Sequence, residues 1–153
     1  MYHLKFMYKM KKILALSIAT IGMIACGNDD STTMEEQTVA FETLAKGNDL
    51  DLYDNLNQNL NLIISNDNEF ENFVTTTSFN TSNFPTVNYY SSKVIVLLGK
   101  LSQTGSNYEI SNITETSEHI MINLTETYND ATVMSKPYHI VKINQTSKPI
   151  LFN

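Results

Sequence analysis

Five consecutive apolar residues, Val94 to Leu98, constrain the fold of this chain more than any other segment. The run ends at Gly99, and an unbroken apolar run of this kind is typical of a strand that is covered by protein on both faces. We therefore expect this strand to lie inside a sheet, with other parts of the chain packed on each side.

The residues that follow are patterned as a hairpin. Residues 108–113 alternate between apolar and polar until the phase slips one residue after Asn112, where we expect a β-bulge. Residues 120–124 alternate cleanly, and the short polar break at residues 114–117 suits the connection between two antiparallel strands.

Two more strands are expected before the chain ends. Pro137 suits the first position of a strand, because its missing N–H then costs no ladder bond. The strand that follows, residues 138–144, places His139, Val141 and Ile143 on one face and Tyr138 and Ile140 on the other. Residues 150–152 indicate a short terminal strand.

The first half of the domain is less regular. Val39 and Phe41 alternate with polar neighbours, as in a half-buried strand, and residues 46–49 have the composition of a turn. Residues 60–65 indicate a further strand.

One helix is predicted, near residues 67–76. Asn66 and Glu69 have the spacing of a capping box, and Phe70, Phe73 and Val74 fall on one helical face. The expected fold class is therefore α+β and β-dominated. It consists of an antiparallel sheet, sandwich-like or a partly open barrel, with this one short helix.

The N-terminal segment predicts export and lipidation. An uncharged, mostly apolar run follows a basic start, and the only cysteine comes directly after it: Lys5, Lys9, Lys11, Lys12, then Ile13 to Ala25, then Cys26. The run is too short to span about 30 Å of hydrocarbon, and it matches a secretory signal. We expect residues 1–25 to be a signal peptide, residues 26–37 a lipidated flexible tether, and residues 38–153 a single β-rich domain.

This pattern places the protein in a bacterial cell envelope, held in a membrane by a lipid on Cys26. An ordinary secreted protein whose lone cysteine falls at this position is the alternative. Asp29 and Asp30 are either an export signal to the outer face of the outer membrane or part of a solvated linker.

Charge excludes nucleic acid as the expected partner. Of 16 acidic residues, 11 lie between Asp29 and Glu71, where Lys46 is the single base, and the chain contains no arginine. Bidentate recognition of phosphates or bases is therefore not available. The acidic character is expected to keep the domain soluble and away from anionic lipid.

The sequence offers little catalytic or metal chemistry. His119 and His139 fall on different predicted strands, and no cysteine or close carboxylate cluster completes a metal site. No serine has the glycines of a nucleophile elbow around it. We therefore expect no enzyme activity, no metal and no cofactor, and we expect His139 to pack in the core with its hydrogen bonds satisfied.

The connection between residues 99 and 108 favours a binding role. Thr104, Gly105 and Asn107 lie in it, and Gly and Asn tolerate unusual backbone angles. Tyr89 and Tyr108 are close in sequence and could add aromatic contact area, as interface residues do. The alternative is ordinary hairpin chemistry with tyrosines in the core.

Several segments together resemble the C-terminal domain of the protease complex subunit PrcB family. The resemblance runs from about Val39 to Phe152, and its most specific part is Pro137, Tyr138, His139, Ile140 and Val141. The other segments are residues 41–47, 63–70 with Phe73, 87–91, 94–99, and Thr104-Gly105 before Tyr108.

Two departures separate the chain from the family pattern. The family's Thr-Gly-Gly-Tyr turn is replaced by residues 104–108, with one glycine lost and one residue gained, and Phe70 and Phe73 stand where Trp is common. The resemblance implies a small β-rich lipoprotein domain that associates with and stabilises a surface protease. A structural or glycan-binding envelope lipoprotein without a protease partner is the second function class.

Overall fold

Strand β4 (Ser92–Leu98) has a hydrogen-bonded strand on each side, as its apolar run predicts. The computed structural model describes residues 35–52, 57–130 and 132–153. The other strands are β1 (Gln37–Thr38), β2 (Glu42–Asn48), β3 (Leu60–Ile64), β5 (Ser106–Glu115), β6 (Ile120–Tyr128), β7 (Pro137–Asn144) and β8 (Ile150–Phe152), and helix α1 is Asp67–Thr77.

The strands form two four-stranded sheets. Sheet I has the order β1-β5-β6-β8 and sheet II the order β2-β7-β4-β3. All neighbours are antiparallel except β6 and β8, which run parallel. The predicted β-dominated α+β class is confirmed. Of the two forms expected, the sandwich-like one is observed, since the two sheets do not close into a barrel.

The domain has three layers because sheet II is covered on both faces. One face packs against sheet I, where Ile95 and Leu97 of β4 meet residues of β5 and β6 such as Ile113 and Ile122. The other face lies under α1 and the loop after it, where Val94, Val96 and Leu98 meet Phe73 and Phe79. Alternate residues of one strand thus enter two separate cores.

Helix α1 begins where its capping box predicts. The Asn66 side chain accepts a hydrogen bond from the Glu69 amide at 2.9 Å, and the Glu69 carboxylate accepts one from the Ser65 amide at 2.7 Å. The helix ends at Ser78, whose φ of 58° lies in the left-handed region. As expected, its apolar face carries Phe70, Phe73 and Val74.

The hairpin of β5 and β6 also forms as predicted. Its ladder runs from Ser106↔Tyr128 to Glu115↔Ile120, with a register shift between Ile110 and Asn112. The bulge therefore falls at the expected place, with Ser111 as the extra residue.

Two expectations for the first half were wrong. Residues 46–48 are not a turn, since β2 continues through them and pairs with β7 as far as Asn48↔Pro137. Gly47 suits a strand here because Tyr138 packs directly over it, 3.0 Å from where a β-carbon would lie. Val39 and Phe41 do not form a strand either: they line the core between the sheets where the chain passes from β1 to β2.

Candidate functional site

The loop between β4 and β5 is held tightly by a cluster of hydroxyl groups. Ser102 and Ser135 form an isolated antiparallel bridge. The Ser135 hydroxyl accepts a hydrogen bond from the Ser106 amide at 2.9 Å and donates one to the Thr104 carbonyl at 2.9 Å. It also lies 2.8 Å from the Ser106 hydroxyl. These bonds fix residues 99–105 against residues 129–136.

Gly105 lies directly against Asn129. Its carbonyl accepts a hydrogen bond from the Asn129 amide at 2.8 Å. A β-carbon at Gly105 would lie 2.1 Å from the Asn129 side-chain oxygen. A larger residue here would therefore have to displace the exposed Asn129 side chain. Gly105 does not adopt the unusual backbone angle on which the sequence interpretation relied.

Tyr108 does not present contact area. It is 5% exposed and lies in the core between the sheets, and its hydroxyl donates to the Asn61 side chain at 2.8 Å. Burial raises its pKa above the usual value. Asn107 also belongs to β5, where it is half-buried. The prediction that Tyr108 forms part of a binding surface is therefore wrong.

Tyr89 lies at the other end of the domain from the 99–105 loop. It precedes β4, whereas the loop follows β4, and the seven residues of that strand separate the two. Tyr89 packs beside the start of α1, where burial and the nearby Asp67 and Glu69 raise its pKa to about 12. The expected joint surface of Tyr89 with Thr104 and Gly105 is therefore not formed.

Lys136 ties a third segment to the same end of the domain. It is a buried lysine, 5% exposed, and its ammonium donates to the carbonyls of Leu50, at 3.0 Å, and Leu52. The Asp49 amide in turn donates to the Lys136 carbonyl at 3.2 Å. Residues 49–52 are therefore positioned beside residues 129–136.

These three segments bring exposed apolar side chains to one end of the domain. We call this surface the apolar end; its members are Leu50, Leu101, Tyr128, Val133 and Met134, each between 46% and 60% exposed. Within the described part of the chain, seven large apolar residues are exposed, and five of them lie here; Tyr90 and Leu151 are the others. Scattered exposed apolar residues are ordinary, but concentrated ones mark interaction surfaces.

Charged groups border the apolar end on one side. The Lys100 ammonium lies 3.7 Å from the Glu126 carboxylate and 5.9 Å from the centre of the Tyr128 ring. A hydrogen bond with the Tyr128 hydroxyl and the charge of Glu126 raise the pKa of Lys100. An apolar centre with a charged rim is the usual composition of a protein–protein interface.

Sequence reasoning missed the members of the apolar end because they are far apart along the chain. The available signal was local: Val133 and Met134 stand between Thr132 and Ser135, and Leu101 stands between Lys100 and Ser102. Because these apolar residues lie in connections, they do not belong to the buried face of a strand or helix. Their exposure could have been suspected on that ground.

The motif residues Pro137, Tyr138, His139 and Ile140 are packed in the two cores. Pro137 lies against Gly99, Tyr138 against Gly47 and Phe79, and Ile140 is fully buried under α1. His139 is 3% exposed and has both ring nitrogens in hydrogen bonds, as the sequence led us to expect.

Cys26, the proposed signal peptide and most of the proposed tether lie outside the described residues. Within the described part of the chain, no helix is long and apolar enough to cross a membrane. The same residues contain no group of three or more His, Cys, Asp or Glu side chains arranged to hold a metal ion.

No protein-family model, curated protein or solved structure matches this chain. The resemblance to the PrcB family therefore stays a prediction that rests on the segments quoted above.

Proposed function

We propose that this chain is a lipid-anchored, non-enzymatic binding module that docks another protein on its apolar end. The observation that carries the proposal is the concentration there of five exposed, large apolar side chains. Burying such side chains in a complex is favourable by roughly 25 cal/mol for each Å² removed from water.

The rigidity of the surface supports this role. The Ser135 hydroxyl and the Lys136 ammonium hold the loops that carry Leu50, Leu101 and Met134. A surface ordered before binding loses less conformational entropy when the partner arrives. Met134 adds an adaptable side chain to an otherwise fixed surface.

The position of β1 also supports the proposal. The described chain enters the domain beside Thr114 and Glu115, where β5 ends, whereas the apolar end lies beside Ser106, where β5 begins. Ten strand residues at about 3.3 Å each separate the two ends by roughly 30 Å. A lipid on Cys26 would hold the domain by the end opposite to its apolar end.

The resemblance to the PrcB family favours a surface or secreted protease as the partner. In this proposal the module stabilises or restrains the protease by occupying part of its surface, and the domain supplies no catalytic group.

Affinity capture from detergent-solubilised membranes tests the proposal, with the bound proteins identified by mass spectrometry. Leu101→Glu places a charge in the apolar end, and Leu151→Glu is the matched control because Leu151 is 45% exposed, against 46% for Leu101. We expect a protease to be recovered with the unchanged chain and with Leu151→Glu, and recovery to fall about tenfold or more with Leu101→Glu.

Equal recovery with both variants would remove the apolar end from the interface. Recovery of no protease by any form would leave the second function class, an envelope lipoprotein without a protease partner. Thermal melts of both variants should match that of the unchanged chain, because each substitution is at an exposed position.

A further inference from the structure

We propose that the groove beside the start of α1 binds a neutral saccharide, with one sugar ring stacked on Tyr90. This groove is separate from the apolar end, and the inference does not rest on the proposed function. It is carried by two adjoining cavities, by the exposed ring of Tyr90 and by polar side chains there that have no partner among the described residues.

Two adjoining cavities form the groove. The first, of about 300 Å³, is lined by Tyr90 together with Ser65, Asn66, Asp67, Val87, Asn88 and Tyr89. The second, of about 230 Å³, shares Asp67, Val87 and Tyr89 with the first, and Phe84 and Pro85 make part of its wall apolar. Cavities of this size are at the small end of the range for ligand sites, so the groove suits a short chain of sugar rings.

Tyr90 provides a fixed aromatic surface at the first cavity. It is 98% exposed, yet its backbone is held, since its amide donates to the Asn88 side chain at 3.0 Å. The Ser91 amide donates to the Asn88 carbonyl at 3.1 Å, and the Gln145 amide donates to the Ser91 carbonyl at 2.8 Å. A single exposed apolar side chain is ordinary. Tyr90 differs because it lines a cavity that also contains unused polar groups.

Three polar groups in the same lining have no hydrogen-bond partner among the described residues: the Asp67 carboxylate, the Tyr89 hydroxyl and the side-chain NH2 of Asn88. Asn88 uses only its side-chain oxygen, which accepts from the Tyr90 amide. The carboxylate accepts, the NH2 donates and the hydroxyl does both. Neighbouring hydroxyls of a sugar ring need such a mixed set of partners, whereas a cation needs acceptors alone.

The chemistry of a hexose matches this arrangement. In glucose the ring hydroxyls are equatorial and the ring C–H bonds are axial, so both faces of the ring are apolar and its edge is polar. Such a face packs favourably on an aromatic ring, because its slightly positive C–H groups meet the negative face of the π-system. A sugar ring stacked on Tyr90 would present its hydroxyl edge to the lining that contains Asp67 and Asn88.

Charge selects a neutral sugar. Burial and the charges of Asp67 and Glu69 raise the pKa of Tyr89 to about 12, so its hydroxyl keeps its proton at neutral pH and remains a donor. The same two carboxylates would repel the carboxylate of a uronic acid, because like charges brought together in a binding site are unfavourable.

The test uses the full chain in a polyoxyethylene detergent, which contains no sugar, and two neutral probes, cellotriose and maltotriose. We expect at least one of them to bind with a dissociation constant on the order of 1 mM. In saturation-transfer NMR, the axial protons on one face of a glucose ring should receive the most saturation. The β-1,4-linked trisaccharide of glucuronic acid should bind at least about tenfold more weakly than cellotriose.

Substitutions of Tyr90 separate stacking from hydrogen bonding. Tyr90→Ala should weaken trisaccharide binding by about tenfold or more, because the aromatic surface is lost. Tyr90→Phe should change binding by less than about twofold, because the ring remains. Both variants should melt at the same temperature as the unchanged chain, since the residue is almost fully exposed.

Asp67→Asn and Glu71→Gln form a matched pair on α1. Both residues are exposed, but Asp67 lines both cavities and Glu71 lines neither. Asp67→Asn should weaken binding by about fivefold, because a hydrogen bond to a charged acceptor is roughly twice as strong as one to a neutral acceptor. Glu71→Gln should change it by less than about twofold.

Three outcomes would overturn the inference. The first is no binding of either neutral trisaccharide at about 20 mM, well above the expected dissociation constant. The second is equal binding by the unchanged chain and Tyr90→Ala, which would place the sugar elsewhere. The third is binding of tetramethylammonium that Tyr90→Ala abolishes while neither sugar binds, since the groove would then be a cation site.

Discussion

The Nδ1 atom of His139 accepts a hydrogen bond from the Ile110 amide at 3.1 Å, and this bond joins sheet II to sheet I. Because Nδ1 accepts, the proton of the neutral ring lies on Nε2, which donates to the Thr43 hydroxyl at 3.0 Å. Burial lowers the pKa of His139 below its usual 6.5; the charge of Lys46 lowers it further and that of Glu109 opposes this. The buried ring is thus held neutral.

The stability of the domain should therefore depend on the protonation of His139. Its contribution is fully present above pH 6.5 and is lost as the pH falls from 6.5 to the lowered pKa of the folded state, because only the unfolded chain binds the proton in that interval. We expect the free energy of unfolding to fall by at most about 1.4 kcal/mol per pH unit there. Urea titrations between pH 5 and 7.5 measure this slope.

His139→Gln should flatten the slope, and His119→Gln is the control. An equal slope in the unchanged chain and in His139→Gln would show that other groups set the pH dependence. Glu109, whose pKa the Lys46 hydrogen bond lowers, loses its contribution at more acidic pH and does not overlap this window.

Gly99→Ala should destabilise the domain by about 1–3 kcal/mol. A β-carbon at Gly99 would lie 2.6 Å from the Pro137 ring and 3.2 Å from the Pro137 carbonyl, which also accepts the Gly99 amide at 2.7 Å. A proline ring at the start of a central strand has little freedom to move. Gly47→Ala should cost less, because it meets only the tip of the Tyr138 side chain at 3.0 Å. Chemical denaturation of both variants measures the order, and the reverse order would contradict this packing argument.

Lys136→Met should lower stability by about 1–3 kcal/mol, because the carbonyls of Leu50 and Leu52 lose a charged donor. It should also make residues 49–52 more sensitive to limited proteolysis. The matched control is Lys142→Met, which removes an ion pair with Glu42 at 2.6 Å between partly exposed side chains. That change should stay within about 1 kcal/mol. Equal losses in the two variants would show that burial of Lys136 adds nothing.

Cys26→Ser should abolish membrane attachment and leave the domain folded. The sulfur of Cys26 is the only thiol that can carry a lipid, and a multiply acylated cysteine holds far more strongly than one acyl chain. Labelling with a radioactive fatty acid and detergent phase partitioning should both report the loss, with an unchanged thermal melt. Retained labelling in this variant would disprove the proposed attachment site.

Features that depend on neighbouring residues were predictable from the sequence. The capping box of Asn66 and Glu69, the bulge near Asn112 and the two-faced strand of residues 138–144 follow from local spacing. The run of Val94 to Leu98 identified a strand that is covered on both faces, because the residues that point to either face are all apolar and all buried.

Features that depend on distant partners were not predictable. Gly47 is a turn residue by composition, and only the Tyr138 ring above it explains a strand there. The sequence could not decide whether Tyr108 lies at the surface or in the core. The hydrogen bond that allows it to be buried comes from Asn61, on a distant strand. The apolar end combines three segments that no sequence pattern connects.

The position of β7 between β2 and β4 affects when this protein can fold during its synthesis. Strand β2 ends at Asn48, yet its pairing partner begins at Pro137. A chain released only as far as Met134 would expose the inner edges of β2 and β4 together with the apolar residues that β7 covers. Folding of sheet II must therefore wait until nearly the whole chain has been released, and until then the exposed edges and apolar residues are open to aggregation.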